Sequence, residues 1–304
     1  MNTANIFDIK RFGTNDGSGI RTVVFIKGCP LSCLWCHNPE GLFKENRIWC
    51  MNNLCIGCES CIAACEAKAI TRLERGVRVD HDICTHCGAC LNVCPTGALR
   101  VDGIKMSVAE VMAEIEKDRV FYGREGGVTL SGGECTAEPE FSLELLKECK
   151  KAGIHTAIET CLFAKPEIMA AFMEAADLIL ADLKLFDPKL HKEATGVDNA
   201  LILSNFEMLA KGATPVIVRI PMIPGYTASV SNVSQIAEFV ASKNPKIPIE
   251  LLNYNPLCEG KYYALGKEFI NCTEPFSQKE MEVFACAARA HGLNVSYEGM
   301  KEQK

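Results

Sequence analysis

The sequence predicts an α/β fold, a partial (β/α)6 barrel that carries a cysteine-rich insert. From Ser107 onward, apolar strands alternate with helices at the spacing of βαβ units, and about six units are too few for an eight-fold barrel. Residues 48–104 lack long helical patterns and hold nine of the 18 cysteines. We therefore predict a barrel domain at residues 1–47 and 105–304 and an inserted domain at residues 48–104.

Composition is that of a globular protein with a sizeable core. The chain has 304 residues, of which 48% are hydrophobic, and its net charge of -6 argues against a nucleic-acid-binding face. No N-terminal stretch reads as an export signal, and no uncharged apolar run approaches membrane-spanning length. We expect a cytoplasmic monomer without nucleic-acid or membrane partners.

Local signals place the individual elements. The first strand is predicted at Arg21–Lys27, which is β-branched and apolar and leads directly to Cys29. Ser107 and Glu110 form a capping-box pattern that starts a helix, and Gly153 ends the next long helix. The later strands are predicted at GVTLSGGE, IHTAIET, DLILADLK, PVIVRIPMIPG and IPIELLNYNP, and the later helices at KPEIMAAFMEA, SVSNVSQIAEFVASK and SQKEMEVFACAARAHG.

The carboxyl ends of parallel strands are where the chemistry of such folds is found. The predicted strands place a chemically coherent set of residues there: Cys29, Gly132–Glu134, Glu159–Thr160, Asp182–Lys184, Arg219 and Asn255. We expect these residues to surround one site.

The insert repeats one cysteine spacing, C-x2-C-x2-C-x3-C. Its two runs are Cys55, Cys58, Cys61, Cys65 and Cys84, Cys87, Cys90, Cys94. This is the spacing of bacterial two-cluster ferredoxins, in which the fourth cysteine of each run ligates the other cluster. We predict two [4Fe–4S] clusters, the first using the fourth cysteine Cys94 and the second using Cys65. Zinc sites built from paired CxxC loops would leave the third cysteine of each run unexplained.

Two residues of the insert fall outside this pattern. Cys50 is an extra cysteine, which we interpret as a structural thiol, with a ligand role as the alternative. Glu66 stands where the motif usually has proline, whereas Pro95 is present after the second run. Neither difference removes a ligand.

A third cysteine group, Cys29, Cys33 and Cys36, has the spacing C-x3-C-x2-C. Three thiols supply one ligand fewer than a cube needs, and a disulfide would leave one thiol over. Together with the Gly132–Glu134 turn, the group resembles that of radical S-adenosylmethionine enzymes. In those enzymes the cluster leaves one iron open for the amine and carboxylate of S-adenosylmethionine.

The resemblance is closest to the activating enzymes of glycyl radical enzymes, in their larger form with an inserted two-cluster domain. It extends along nearly the whole chain, through NDGSGIRTVVFIKGCPLSCLWCHNPEG, GGVTLSGGE, GIHTAIET, ADLILADLK, VRIPMIPG and IELLNYNPL. It implies an anaerobic oxidoreductase that cleaves S-adenosylmethionine to methionine and a 5′-deoxyadenosyl radical. That radical takes hydrogen from a glycine of a partner enzyme. Flavodoxin or ferredoxin is the implied electron donor.

The resemblance also implies which residues surround the cofactor. They are Trp35, Cys36, His37, Ser131, Gly132, Gly133, Glu134, Asp182, Leu183, Lys184, Arg219 and Asn255. Trp35 and His37 are expected on the adenine side, and the glycine turn is expected to receive the methionyl amine. Arg219, expected after the fifth strand, would bind the carboxylate of the cofactor or, alternatively, form a salt bridge at the barrel rim.

Three positions depart from the smaller activating enzymes. Ser18 replaces a proline, and Glu159–Thr160 replaces an Asp–Thr pair associated with a monovalent cation, so that cation is an open expectation. Asn255 replaces a histidine near the ribose and can still form a hydrogen bond. Two other functions stay open: a radical enzyme acting directly on a small molecule or peptide, and a ferredoxin-type electron carrier.

Overall fold

The computed structural model describes residues 2–265, 267, 269 and 274–297. The strands are β1 (Thr3–Gly13), β2 (Arg21–Ile26), β3 (Ile48–Cys50), β4 (Ile70–Arg72), β5 (Val77–Val79), β6 (Leu99–Val101), β7 (Ile104–Ser107), β8 (Gly127–Gly132), β9 (His155–Thr160), β10 (Leu178–Asp182), β11 (Val216–Met222), β12 (Ile249–Asn253) and β13 (Val295–Tyr297). The helices are α1 (Ser60–Ala63), α2 (Ala89–Asn92), α3 (Val108–Glu116), α4 (Pro139–Lys151), α5 (Pro166–Ala175), α6 (Pro188–Thr195), α7 (Ala200–Lys211), α8 (Val230–Lys243), α9 (Glu259–Ala264) and α10 (Gln278–Arg289).

A central sheet organises the fold. Within the described residues it has nine strands in the order β13-β12-β11-β10-β9-β8-β2-β1-β7, and its two edge strands do not pair with each other. Seven of these strands are parallel to one another: β2, β8, β9, β10, β11, β12 and β13. Strand β1 runs antiparallel to both β2 and β7. The prediction of an α/β fold with a mostly parallel sheet is confirmed. The six predicted strands all lie in the parallel part, and β13 adds a seventh.

Helix ends follow the predicted capping chemistry. Ser107 and Glu110 form a capping box at the start of α3, where the Glu110 carboxylate accepts a hydrogen bond from the Ser107 N–H at 2.7 Å. Helix α6, which was not predicted, begins after Asp187, whose side chain accepts from two N–H groups of the first turn, and ends at Gly196 with φ of 87°. This helix matters because its last turn supports the loop of the candidate site.

The insert has its own small core. Strand β3 pairs with β6 and β4 pairs with β5, both antiparallel, and the apolar side chains of these two strand pairs pack together apart from the main core. The main core lies between the central sheet and its helices. Strand β7 joins the central sheet by pairing with β1.

The two ends of the insert meet beside β2. Asp102 accepts a hydrogen bond from the Arg47 N–H at 2.7 Å, and its own N–H donates to the Arg47 carbonyl at 2.9 Å. Lys27, at the end of β2, forms a fully buried ion pair with Asp102 at 2.8 Å and donates to the Glu40 carbonyl at 2.6 Å. These contacts therefore hold both ends of the insert beside Lys27, which lies two residues before Cys29 in the sequence.

Across the part of the chain that the structure describes, none of the helices has the length and apolar character needed to cross a bilayer.

Replacing Asp118 with asparagine should destabilise the fold at neutral pH. Its buried carboxylate accepts hydrogen bonds from Arg11 and from Thr22 at 2.8 Å, and these interactions hold its pKa below the ordinary value. A depressed folded-state pKa contributes stability above the unfolded pKa of about 4, and this stability is lost as the pH falls through the folded value. We expect a loss of roughly 1–3 kcal/mol at pH 7.

Urea unfolding of the cluster-free protein at pH 7 and near pH 3, below the unfolded pKa of the carboxyl group, measures this effect. Glu114→Gln is the matched control, because the exposed Glu114 carboxylate forms a surface ion pair with Lys117 and the substitution should change stability by about 0.5 kcal/mol or less. An Asp118→Asn loss that is the same at both pH values would contradict the assigned role.

Candidate active site and cysteine cavities

The loop that carries the three-cysteine group lies directly after β2 and is held from two sides. The N–H groups of Ser32 and Leu34 donate to carbonyl oxygens in the last turn of α6 at 2.8 and 3.0 Å. The hydroxyl of Tyr262, in α9, donates to the Cys36 carbonyl at 2.9 Å. Two elements that are distant in sequence therefore fix the backbone between Cys29 and Cys36.

Burial raises the pKa of two of these three thiols. Desolvation raises the pKa of Cys33 to about 11, against the opposing effect of the Lys184 charge, and desolvation raises the pKa of Cys36 as well. Without a metal, both thiols are neutral near pH 7. An iron–sulfur cluster must displace these protons on binding, and three soft sulfur donors in a water-poor loop fit such a group.

Single-ion sites are a different matter. Among residues 2–265, 267, 269 and 274–297, no group of three or more His, Cys, Asp or Glu side chains is arranged to hold one metal ion. In a [4Fe–4S] cluster each cysteine binds a different iron, so the thiols surround a volume and do not converge on one point.

Arg219 lies within β11, three residues before the strand ends, and not after the strand as the sequence predicts. Its backbone pairs in register with Asp182 on one side and Glu250 on the other. The guanidinium is buried and donates to Glu250 at 2.8 Å, to Glu159 at 2.9 Å and to the Asn15 carbonyl at 2.5 Å. The ion pairs foreseen as its alternative role are present, and a contact with the cofactor carboxylate stays a prediction.

Asp182 and Lys184 form an ion pair at the carboxyl end of β10. Their side chains are 2.5 Å apart and largely buried. Within the described residues, the other carboxylate oxygen, Oδ1 of Asp182, is buried without a hydrogen-bond partner. Burial raises the pKa of Asp182 although the Lys184 charge opposes it. An unpartnered buried acceptor at this position fits a ligand hydroxyl, ammonium group or cation.

The glycines of the turn after β8 allow close backbone packing. Gly132 has φ of 126°, and a β-carbon there would overlap the carbonyl oxygen of Ile26. A β-carbon on Gly133 would overlap the carbonyl oxygens of Gly28 and Gly41. The turn is therefore pressed against the backbone that leads into the three-cysteine loop, a contact that larger residues would prevent.

Glu134 is buried, and its carboxylate faces the protein. It accepts from the Cys161 N–H at 2.7 Å and from the Thr136 N–H and hydroxyl at 3.1 and 2.8 Å. This side chain joins the end of β8 to the end of β9.

Replacing Glu134 with glutamine should loosen this junction. An amide keeps one acceptor but turns an NH2 group toward the remaining donors, so we expect a loss of roughly 1–3 kcal/mol in stability and weaker S-adenosylmethionine binding. Thermal unfolding and equilibrium binding measure the two effects. Glu138→Gln is the control, since its half-buried carboxylate pairs only with Lys44 at 3.0 Å. Unchanged stability in Glu134→Gln would contradict the assignment.

The residues expected on the adenine side have different surroundings. Trp35 is buried in an apolar cluster, with its ring 5.2 Å from that of Tyr226. His37 is hydrogen-bonded to the backbone of Asn255, so the structure brings these two predicted residues together. The exposed Asn255 side chain accepts from the Leu257 N–H at 3.0 Å and thereby caps a short turn.

Sequence reasoning missed two residues at this site. Cys161 is buried at the end of β9, next to the thiol of Cys29. No motif marks it, and only its place directly after Glu159–Thr160 could have drawn attention to it. Tyr262, which holds the loop at Cys36, belongs to no recognised pattern either.

The insert contains two cavities lined by the cysteines of the repeats. The first is lined by Cys55, Cys58, Cys61 and Cys94, together with Cys50. The second is lined by Cys65, Cys84, Cys87 and Cys90. The structure thus groups the thiols in the two sets expected from the spacing, in which the fourth cysteine of each run joins the other run.

Fold and site together define a class of protein. The profile of the radical SAM superfamily matches residues 23–235, and SAM here denotes S-adenosylmethionine. A radical SAM methyltransferase from Sphaerobacter thermophilus shares the fold, with a TM-score of 0.50 and 13% identity over 71% of this chain and 62% of that chain. The chain belongs to the radical SAM superfamily.

Closer relatives narrow the family. The isethionate sulfite-lyase activating enzyme of Nitratidesulfovibrio vulgaris is 39% identical over 88% of this chain and 89% of its own length. The choline trimethylamine-lyase activating enzyme of Oleidesulfovibrio alaskensis is 39% identical over 96% of this chain and 97% of its own length. The protein is a member of the activating enzymes of glycyl radical enzymes.

Proposed function

We propose that this activating enzyme holds three [4Fe–4S] clusters and passes electrons from the insert to the cluster that meets S-adenosylmethionine. The catalytic cluster would be bound by Cys29, Cys33 and Cys36. The two auxiliary clusters would fill the cavities of the insert. The observation that carries the proposal is the sorting of eight cysteines into two cavities, each combining three cysteines of one run with the fourth of the other.

The reaction of the family is the production of a glycyl radical in a partner enzyme. When bound, the catalytic cluster supplies the electron that divides S-adenosylmethionine into methionine and the 5′-deoxyadenosyl radical, which takes hydrogen from a partner glycine. The contribution of this chain is position and exclusion of water. The three-cysteine loop is fixed at both ends, and Asp182 offers a buried acceptor to the cofactor.

The remaining contacts of the cofactor follow from the same geometry. The backbone of Gly132 and Gly133 would meet the methionyl amine, because the Glu134 side chain is already occupied. Both carboxylate oxygens of Glu159 bind neighbours, Ser131 at 2.5 Å and Arg219 at 2.9 Å. A monovalent cation at this site would therefore use Asp182 and not Glu159.

The partner is a glycyl radical enzyme that presents its glycine loop, and the electron donor would be a flavodoxin or a ferredoxin. Two relatives of equal identity, 39%, are named for different partners, an isethionate sulfite-lyase and a choline trimethylamine-lyase. Overall similarity thus does not select a partner. We propose that the protein acts as a monomer on that loop.

Anaerobic reconstitution tests the proposal. We expect about twelve irons per chain, 5′-deoxyadenosine from S-adenosylmethionine and a strong reductant, and a glycyl-radical EPR signal on the correct partner. About four irons per chain with full 5′-deoxyadenosine formation would overturn the auxiliary clusters and leave the catalytic one. About eight irons without 5′-deoxyadenosine would favour an electron carrier.

A further inference from the structure

Strands β3 and β5 each contribute side chains to both cavities of the insert. On β3, Ile48 lines the second cavity and Cys50, two residues later, lines the first. On β5, Val77 lines the first cavity and Val79 the second. Because alternate residues of a strand face the same side, one strand contributes a matching side chain to each cavity.

The matched positions on β3 differ in chemistry. The second cavity has the alkyl side chain of Ile48, whereas the first has the thiol of Cys50, which is 1% exposed. The Cys50 thiol lies beside the side chain of Cys55, one of the cysteines that line the same cavity. The first cavity therefore contains a fifth thiol in addition to the four thiols that are enough to bind a [4Fe–4S] cluster.

We propose that Cys50 is a hydrogen-bond donor to the sulfur atoms of the first auxiliary cluster, and that it sets the potential of this cluster above that of the second. The inference rests on the proposed function, since it requires clusters in the insert. An S–H group pointing at cluster or cysteinyl sulfur stabilises the reduced state, which carries more negative charge. Ile48 offers no such donor to the second cluster.

A role for Cys50 as a ligand is less consistent with this arrangement. Each cavity contains one complete set of four run cysteines, and the set in the second cavity is complete without a fifth. The thiol of Cys50 is thus additional to the ligands and differs from them in its backbone setting, because it lies on a paired strand opposite Leu99. A side chain held in this way keeps a fixed orientation toward the cavity.

Redox titration followed by EPR tests the proposal on the full chain carrying Cys33→Ala, which removes the catalytic cluster signal. In Cys50→Ala we expect one of the two couples to shift to lower potential, with the other couple and the iron content unchanged. Cys50→Ser should restore part of the difference, because a hydroxyl still donates. Ile48→Val, which trims the matched wall of the second cavity without changing its polarity, should leave both couples in place.

Three results would overturn the proposal, each in a distinguishable way. Unshifted couples at full iron content in both Cys50→Ala and Cys50→Ser would make Cys50 a packing residue. Loss of about four irons in Cys50→Ala would make it a ligand. Absence of any cluster from the Cys33→Ala chain would remove the auxiliary clusters themselves, and with them this part of the proposed function.

Discussion

Cys33→Ala is expected to reduce 5′-deoxyadenosine formation to background and to abolish the glycyl radical on the partner. Under the proposed function, the three-cysteine loop would supply all the protein ligands of the catalytic cluster, and two thiols could not hold a cube with an open iron in a defined position. The loop itself should persist, since its hydrogen bonds to α6 and Tyr262 involve backbone atoms on the loop side. Product analysis with S-adenosylmethionine and a chemical reductant measures the effect.

Iron analysis and a control thiol complete this experiment. The variant should lose about four irons and keep about eight, which separates loss of one cluster from general unfolding. Cys286→Ala is the control, because Cys286 is an exposed cysteine on α10 outside all three groups and should be silent. Wild-type product formation in Cys33→Ala would show that the triplet is not the catalytic ligand set.

Cys84→Ala is expected to affect activity differently with two kinds of reductant. The variant should lose most of its activity when electrons come from flavodoxin or ferredoxin, because under the proposed function one of two auxiliary clusters would then lack a ligand. With a small chemical reductant that reaches the catalytic cluster directly, 5′-deoxyadenosine formation should stay near the wild-type rate. The ratio of the two rates in each variant is the relevant measurement.

The relay hypothesis makes this ratio decisive. Cys286→Ala again provides a thiol deletion outside the insert and should keep the wild-type ratio. If Cys84→Ala is activated by the protein donor at the wild-type rate, the insert serves docking or folding and not electron transfer. If both rates fall together, the insert supports the structure of the barrel.

The fold was predictable where apolar residues form continuous or regularly repeated patterns. Strand β2 and its parallel neighbours are buried on both faces and therefore read as apolar runs. Strand β1 was not predicted, because it is an antiparallel strand with only partial burial beyond Ile6. Helix α6 escaped because its buried face consists of His191, Ala194 and Thr195, which gives little apolar periodicity.

Helix α7 was also not predicted, although its sequence contains the signal for a helix. Its apolar residues repeat at Ile202, Phe206 and Leu209. The grouping of the insert cysteines around two cavities was predictable from their repeated short spacing. The ion pairs of Arg219 and the contact between Cys29 and Cys161 join separate strands, and no local spacing encodes them.

The meeting of the two ends of the insert makes this domain a removable module. A tight turn between Arg47 and Asp102 would close the barrel chain without moving either residue, since their backbones are already hydrogen-bonded. The cut must spare Asp102, because Lys27 would otherwise be a buried charge without its partner, at a cost of about 3–5 kcal/mol. Residues 48–101 are thus the transplantable unit. A smaller barrel could have gained its auxiliary domain by one insertion at this joint, and the same joint offers protein engineers a place to exchange it.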